Sequence, residues 1–203
     1  MKRIDWVIFD LGGVLLEVDQ LQIFDRLGSV TGLAPSVVAE RLMAAREVWH
    51  SFTISEVTPA YLSSKVGEIL GTQIAQSVVI QAFNSELGPE ISSTTKILPS
   101  LRTRTQVGCL SNTNSIHWDE LLRSYSFMGE FDRRFASQLL GCAKPGREIY
   151  EKVVGLLRVK PHDILFFDDR EENVLAARQL GWNARLYTNS DSLESDLREF
   201  SLV

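Results

Sequence analysis

One stretch constrains this chain more than any other: Asp5-Trp6-Val7-Ile8-Phe9-Asp10-Leu11-Gly12-Gly13-Val14-Leu15-Leu16, an apolar run that ends in an acid and then a glycine pair. An unbroken run of β-branched and aromatic residues reads as a buried strand. The two glycines after it let the backbone turn tightly and come close to a ligand. Asp10 therefore stands at the carboxyl end of a strand, the edge at which open α/β sheets bind their ligands.

The pattern returns further along. Gln106-Val107-Gly108-Cys109-Leu110-Ser111 reads as a second buried strand, ending on a hydroxyl, and Asp163-Ile164-Leu165-Phe166-Phe167 as a third, ending in Asp168-Asp169. Arg134 to Ser137 and Ala184 to Tyr187 are shorter strands. Between them lie amphipathic helices: one opened by Pro89-Glu90 and running through Ile97 and Leu101, one with Trp118, Leu121 and Leu122 inward, one with Ile149, Val153 and Leu156, one with Val174, Ala177 and Leu180, and a last one from Leu193 to Phe200. Strands separated by helices imply an α/β fold with a parallel, Rossmann-like sheet sandwiched by helices. Residues 17–85 carry no strong strand. They show helical spacing at Leu21–Leu27, from Pro35 through Val38 and Leu42, from Tyr61 to Leu70, and from Ile74 to Phe83. The expected organisation is an α/β core of residues 1–16 and 86–203, interrupted by a helical insert of residues 17–85 placed above the carboxyl end of the sheet.

Composition narrows the function classes. With 203 residues, 44% hydrophobic and 23% charged, the chain matches an ordinary globular domain. Its net charge of -5, with no concentrated basic stripe, argues against nucleic acid as a partner. No apolar run approaches the roughly 18 residues needed to span a bilayer, and Asp5 and Asp10 interrupt the apolar stretch behind Met1-Lys2-Arg3, so neither a membrane span nor a leader is expected. Cys109 and Cys142 make no disulfide framework, which fits a cytoplasmic location. The sequence is compatible with a monomer or a homodimer.

Four polar features fall at comparable places: Asp10 and Ser111 at strand ends, Lys144 in a strand-to-helix loop, and the Asp168-Asp169 pair at another strand end. In one parallel sheet they can converge. A nucleophilic carboxylate, a hydroxyl, a lysine and acids able to hold Mg²⁺ suit phosphoryl transfer, where negative charge on the transferring group calls for cationic clamps and placed donors. This set resembles the haloacid dehalogenase-like hydrolase superfamily, in its subclass with a small helical cap, over nearly the whole chain. Phe9-Asp10-Leu11-Gly12-Gly13-Val14 resembles that family's first motif, Leu110-Ser111-Asn112 its second, Lys144-Pro145 its third, and Phe167-Asp168-Asp169 with Asn173 its fourth. The resemblance implies Asp10 as the nucleophile of an aspartyl-phosphate, with Ser111, Asn112 and Lys144 binding the substrate's phosphoryl group. It implies Asp10, the Gly12 carbonyl, Asp169 and Asp168, directly or through water, as Mg²⁺ ligands, and residues 17–85 as the cap.

One position departs from the family. Two residues after the nucleophile most of its phosphatases carry a second aspartate, which protonates the leaving oxygen; here that residue is Gly12. The glycine, with Ser111-Asn112-Thr113-Asn114 and Phe166-Phe167-Asp168-Asp169, is most similar to the α-D-glucose-1-phosphate phosphatase group. Glu17, Asp19 and His50 are candidate replacement acids. The resulting expectation is a Mg²⁺-dependent phosphatase acting on a small phosphorylated metabolite, with a sugar 1-phosphate as the leading candidate. Two alternatives stay open: a non-catalytic phosphometabolite-binding protein that lost turnover with its acid, and a 2-haloacid dehalogenase, which needs no divalent ion.

Overall fold

Four consecutive apolar side chains, Trp6 to Phe9, form strand β1, and all four are buried. The computed structural model describes residues 3–54 and 57–203; Met1 and Lys2, weighed above as the start of a leader, lie outside them. After β1 come β2 (Leu16–Val18), helices α1 (Leu21–Thr31), α2 (Pro35–Ala44), α3 (Arg46–Ile54), α4 (Pro59–Leu70) and α5 (Gln76–Asn84), and β3 (Leu87–Glu90). The rest alternates: α6 (Ser92–Thr95), α7 (Leu98–Leu101), β4 (Gln106–Ser111), α8 (Ser115–Ser124), β5 (Arg133–Ala136), α9 (Ser137–Leu140), α10 (Arg147–Leu157), β6 (Ile164–Asp168), α11 (Glu171–Gln179), β7 (Asn183–Leu186) and α12 (Ser190–Glu199).

Strands β5, β4, β1, β6 and β7 lie side by side in that order, every neighbouring pair parallel. Alternate side chains feed two cores. Val7, Phe9, Val107, Cys109, Leu165 and Phe167 pack on one face with Trp118, Leu121, Leu193 and Leu197. Trp6, Ile8, Leu110, Ile164 and Phe166 pack on the other with Ile149, Tyr150, Ala177 and Trp182. Burial of each large apolar side chain contributes roughly 1.5–3 kcal/mol, so a sheet covered on both faces is the stable use of these continuous runs. The register sets Phe9 opposite Cys109 on one side and Phe167 on the other. The residue after Phe9 is thus beside the residue after Phe167: Asp10 beside Asp168.

Helices α1 to α5 share a separate core that includes Ile23, Leu27, Leu42, Leu62, Val66 and Phe83, and Ile116 of α8 joins it from the side of the sheet. At the base of these helices β2 and β3 pair antiparallel. Several local expectations are corrected here. Glu17 and Val18 belong to β2, inside a stretch expected to hold no strand. Pro89 and Glu90 end β3 and do not open a helix; the Leu15 carbonyl accepts from Ile91 N–H at 2.8 Å and Tyr125 Oη donates to the Gly88 carbonyl at 2.8 Å, so long-range bonds hold the segment extended. Helix α3 has little apolar spacing to mark it, and only Phe52 of it is buried. Leu122 is 48% exposed, so of the three residues expected inward on α8 only Trp118 and Leu121 are buried.

Candidate active site

Strand ends β1, β4 and β6 and the loop before α10 bring Asp10, Ser111, Asp168 and Lys144 together, as the order of the sheet requires. Lys144 is the hub. Its side chain is fully buried, and Nζ donates to Asp10 Oδ2 at 2.9 Å, Asp168 Oδ2 at 2.6 Å and the Leu110 carbonyl at 2.8 Å. Three donors meet three acceptors, so the ammonium is saturated. Burial opposes its charge, yet Asp10 and Asp168 together hold its pKa above the ordinary lysine range. Burial likewise pushes the Asp10 carboxyl up, Lys144 pulls it back down, and the Asp168 charge pushes it up again. Asp10 Oδ1 also accepts from Leu11 N–H at 2.7 Å, which fixes the carboxylate in the turn.

Asp168 and Asp169 divide their work by position. Asp168 Oδ1 accepts from Arg170 N–H and Asn173 Nδ2, both at 2.9 Å, and Oδ2 accepts from Lys144 and, at 3.1 Å, from Asn173. Its lone pairs are largely committed to the protein. Asp169 is exposed, and burial of part of its carboxyl together with the Asp168 charge raises its pKa. It packs over Gly13, where φ is +74° and an added Cβ would collide with the Asp169 carboxylate, so glycine is required there. One oxygen each from Asp10, Asp168 and Asp169 lies within 4.8 Å of the others. Hard carboxylate oxygens in a group of this size suit Mg²⁺.

Asn112 proves to be a clamp. Its Oδ1 accepts from Lys144 N–H at 2.9 Å and its Nδ2 donates to the Lys144 carbonyl at 2.7 Å, so the side chain holds the lysine loop by both backbone groups. The next residues tie the sheet to the helices above it. Ser137 Oγ accepts from Thr113 N–H at 3.0 Å and lies 2.7 Å from the Thr53 carbonyl at the end of α3. Asn114 caps α8, accepting from His117 N–H at 3.0 Å.

A cavity of about 370 Å³ opens over these groups and is lined by Asp10, Gly12, Ser111, Asn112, Lys144, Asp169 and Asn173, together with Glu86 and His117. Asp168 lies beneath it. Among the candidate replacement acids, Glu17, Asp19 and His50 are exposed and none lines this cavity. The place a second acid would take at position 12 is tight, because a Cβ on Gly12 would lie 2.9 Å from Val18 Cγ2. A second chamber of about 490 Å³ adjoins the first under the helices, lined by Ile23, Phe24, Leu42, Met43, Trp49, Phe52 and Phe83 with Gln20, Arg46 and Glu86. Gln20, Glu86, Asn112, Thr113 and His117 line both spaces. His117 is neutral: burial pushes its pKa down to about 4, its Nε2 lies 3.0 Å from the Phe83 carbonyl and its Nδ1 3.1 Å from Asn114 Nδ2, partners that assign the proton to Nε2. Burial raises the Glu86 carboxyl to about 7 against the bond from Gln20. Neither Glu86 nor His117 carries a sequence signal for this site, since only the folding of α5 and α8 over the sheet brings them here.

The sequence profile of haloacid dehalogenase-like hydrolases matches residues 4–181. This chain belongs to that family. It is therefore a hydrolase of the superfamily, and its parallel sheet flanked by helices is that family's fold. Over 195 residues it is 26% identical to a sesquiterpene phosphatase of Aspergillus oryzae, covering 95% of this chain and 94% of that one. A 68-residue stretch is 41% identical to flavin mononucleotide hydrolase 1 of Arabidopsis thaliana, spanning 34% of this chain but only 28% of that protein. Among solved structures, a haloacid dehalogenase family enzyme of Bacteroides thetaiotaomicron superposes with a TM-score of 0.84 at 25% identity, covering 92% of this chain and 95% of that one. That enzyme has also been solved in complex with magnesium and inorganic phosphate. Among the described residues, no helix is long and apolar enough to cross a membrane.

Proposed function

We propose that this hydrolase is a Mg²⁺-dependent phosphomonoesterase that works through a phosphorylated Asp10. The observation that carries the reading is the bridge from Lys144 to both Asp10 and Asp168, with Asp169 beside them at the mouth of the cavity. Asp10, Asp169 and the Gly12 carbonyl are the residues that would hold Mg²⁺, with Asp168 reached through water because its oxygens already accept from Lys144, Arg170 and Asn173. The ion supplies positive charge to the phosphoryl oxygens. Lys144 keeps Asp10 ionised and aimed, Ser111 at the end of β4 donates to the phosphoryl group, and Asn112 holds the Lys144 loop. The acid pair separates this reading from a dehalogenase, which would gain nothing from a cation site.

Helices α1 to α5, within the insert of residues 17–85, act as the cap, and the chamber beneath them receives the leaving group. Its walls combine an aromatic and aliphatic side, from Ile23 and Phe24 to Trp49, Phe52 and Phe83, with polar groups that include Gln20, Arg46, Glu86 and His117. That lining fits a phosphate ester whose body has an apolar or planar face, as the names of the sesquiterpene phosphatase and the flavin mononucleotide hydrolase also suggest. It fits the pyranose of a sugar 1-phosphate through one ring face. The test is phosphate release from a panel holding α-D-glucose 1-phosphate, flavin mononucleotide and a prenyl phosphate, with and without Mg²⁺. Release that requires the metal and vanishes in Asp10→Asn is expected; undiminished release by Asp10→Asn would overturn the proposal.

A further inference from the structure

We propose that Glu86 is the general acid and base of this enzyme, acting from the cap side in place of the side chain that position 12 lacks. The inference rests on the phosphatase reading with Asp10 as nucleophile. Three observations support it. Gly12 carries no side chain, so no acid reaches the leaving oxygen from that position, and a Cβ there would lie 2.9 Å from Val18 Cγ2. Glu86 is the one carboxylic acid among the five residues that line both the catalytic cavity and the leaving-group chamber, which is the boundary the scissile P–O bond must straddle. Its side chain is only 13% exposed, and no ion pair to a lysine or arginine engages it among the described residues.

The groups that face Glu86 leave its proton available. His117 Nε2 of α8 is 3.7 Å away, but that histidine is neutral and spends its N–H on the Phe83 carbonyl. The Gln20 side chain favours the ionised carboxyl, the Asp19 charge opposes it, and Arg46 of α3 lines the same chamber without pairing with it. The main chain is pinned at both ends of the residue: Glu86 N–H donates to the Phe83 carbonyl at 3.0 Å, and its carbonyl accepts from Asp19 N–H at 2.9 Å. A carboxyl held near pKa 7 is matched to proton transfer in both directions at neutral pH.

In the first half-reaction an Asp10 carboxylate oxygen forms a bond to phosphorus as the P–O bond to the leaving group breaks. The Glu86 proton passes to the departing alkoxide, giving an alcohol, an aspartyl-phosphate and a Glu86 carboxylate. That carboxylate then takes a proton from a water whose oxygen attacks phosphorus. The bond from phosphorus to Asp10 breaks, releasing inorganic phosphate and restoring both acids to their first states.

The test compares Glu86→Gln with the wild type on two esters, 4-nitrophenyl phosphate, whose leaving group departs without a proton, and 2-phenylethyl phosphate, whose alkoxide needs one. Expected for Glu86→Gln is a fall of roughly 10²–10⁴-fold in kcat/KM on the alkyl ester. A burst of nitrophenolate close to one per active site should survive on the aryl ester, because only the later water step then lacks its base. Glu86→Asp should recover part of the alkyl activity, and the alkaline limb of the wild-type kcat/KM profile near pH 7 should be absent from Glu86→Gln. Equal losses on both esters, or none on either, would overturn the role of Glu86 while leaving the phosphatase reading intact. Failure of that reading itself would show instead as wild-type enzyme without Mg²⁺-dependent turnover, or as an active Asp10→Asn.

Discussion

Val18 stands over Gly12 so closely that a Cβ added to the glycine would lie 2.9 Å from Val18 Cγ2. The missing aspartate is therefore a packed position. Gly12→Asp should raise turnover on no substrate, because its carboxylate would be displaced by the β2 strand. Forcing extra atoms into a packed site costs about 1–3 kcal/mol, and the low end applies here since Val18 is 43% exposed and has room to shift. Urea denaturation should show a loss of about 1 kcal/mol in Gly12→Asp. Val18→Ala in the same chain should remove most of it. A rise in alkyl phosphatase activity in either variant would contradict the packing argument.

Lys144 is the second test. In Lys144→Met the carboxylates of Asp10 and Asp168 lose their shared cation while staying buried. Breaking a buried pair from one side costs about 3–5 kcal/mol, and Asp168 keeps its bonds from Arg170 and Asn173, so about 3 kcal/mol is expected at pH 8. Without the lysine the folded-state pKa of Asp10, already pushed up by burial, rises further above its unfolded value. Stability is then lost as pH rises through that window, so the deficit of Lys144→Met should shrink toward pH 5. Asp168→Asn added to Lys144→Met should recover part of the loss at pH 8. Denaturant midpoints at the two pH values decide this, and a pH-independent deficit would contradict it.

These sites differ in how far the sequence exposes them. Strands β1, β4 and β6 are legible because continuous apolar runs buried on both faces end in polar residues, and the order of a parallel sheet then forces Asp10, Ser111 and Asp168 to one edge. Strands β2 and β3 are not. One has three residues and the other contains Gly88 and Pro89, both poor strand formers, and each is held by partners some 70 residues away in the chain, such as Leu16 with Glu90. Pro89 also carries the local signal of a helix start, which the tertiary pairing overrides. Glu86 is hidden for the same reason. Ser85-Glu86-Leu87 reads as a polar link, and only closure of α5 and α8 around it makes its carboxyl buried. The family motif marks Asn112 as a site residue, but its hold on the Lys144 backbone is not legible because that partner lies 32 residues on.

Glu86 also predicts how stability depends on pH in the absence of substrate. Its folded-state pKa is raised from 4.5 to about 7, chiefly by burial. Between those values the folded protein keeps a proton that the unfolded chain releases, so this residue makes stability fall as pH rises from about 4.5 to 7. Glu86→Gln removes the titration. Relative to wild type it should gain up to about 3 kcal/mol at pH 8 and nothing at pH 4, since a tenfold difference in proton affinity between the folded and unfolded states corresponds to about 1.4 kcal/mol. Denaturation curves at the two pH values check the sign, and a larger gain at pH 4 would contradict it.

Metal binding offers the last test, independent of any substrate. Ligation by Asp10, the Gly12 carbonyl and Asp169 exists only in the folded chain, because these residues are brought together across β1 and β6. Mg²⁺ at 100 times its Kd should therefore stabilise the protein by about 2.7 kcal/mol and raise Tm in proportion, an effect that a chelator reverses. Asp169→Asn removes a ligand carboxylate from an exposed side chain while keeping its shape, so the metal-free Tm should hardly change while the Mg²⁺-induced rise disappears. Asp168→Asn should behave in the opposite way, because its carboxylate neutralises Lys144 and accepts from Asn173: the metal-free Tm falls, and much of the response to Mg²⁺ survives. Thermal scans of the three proteins with Mg²⁺ and with chelator separate the outcomes, and an unchanged Mg²⁺ response in Asp169→Asn would remove Asp169 from the ligand set.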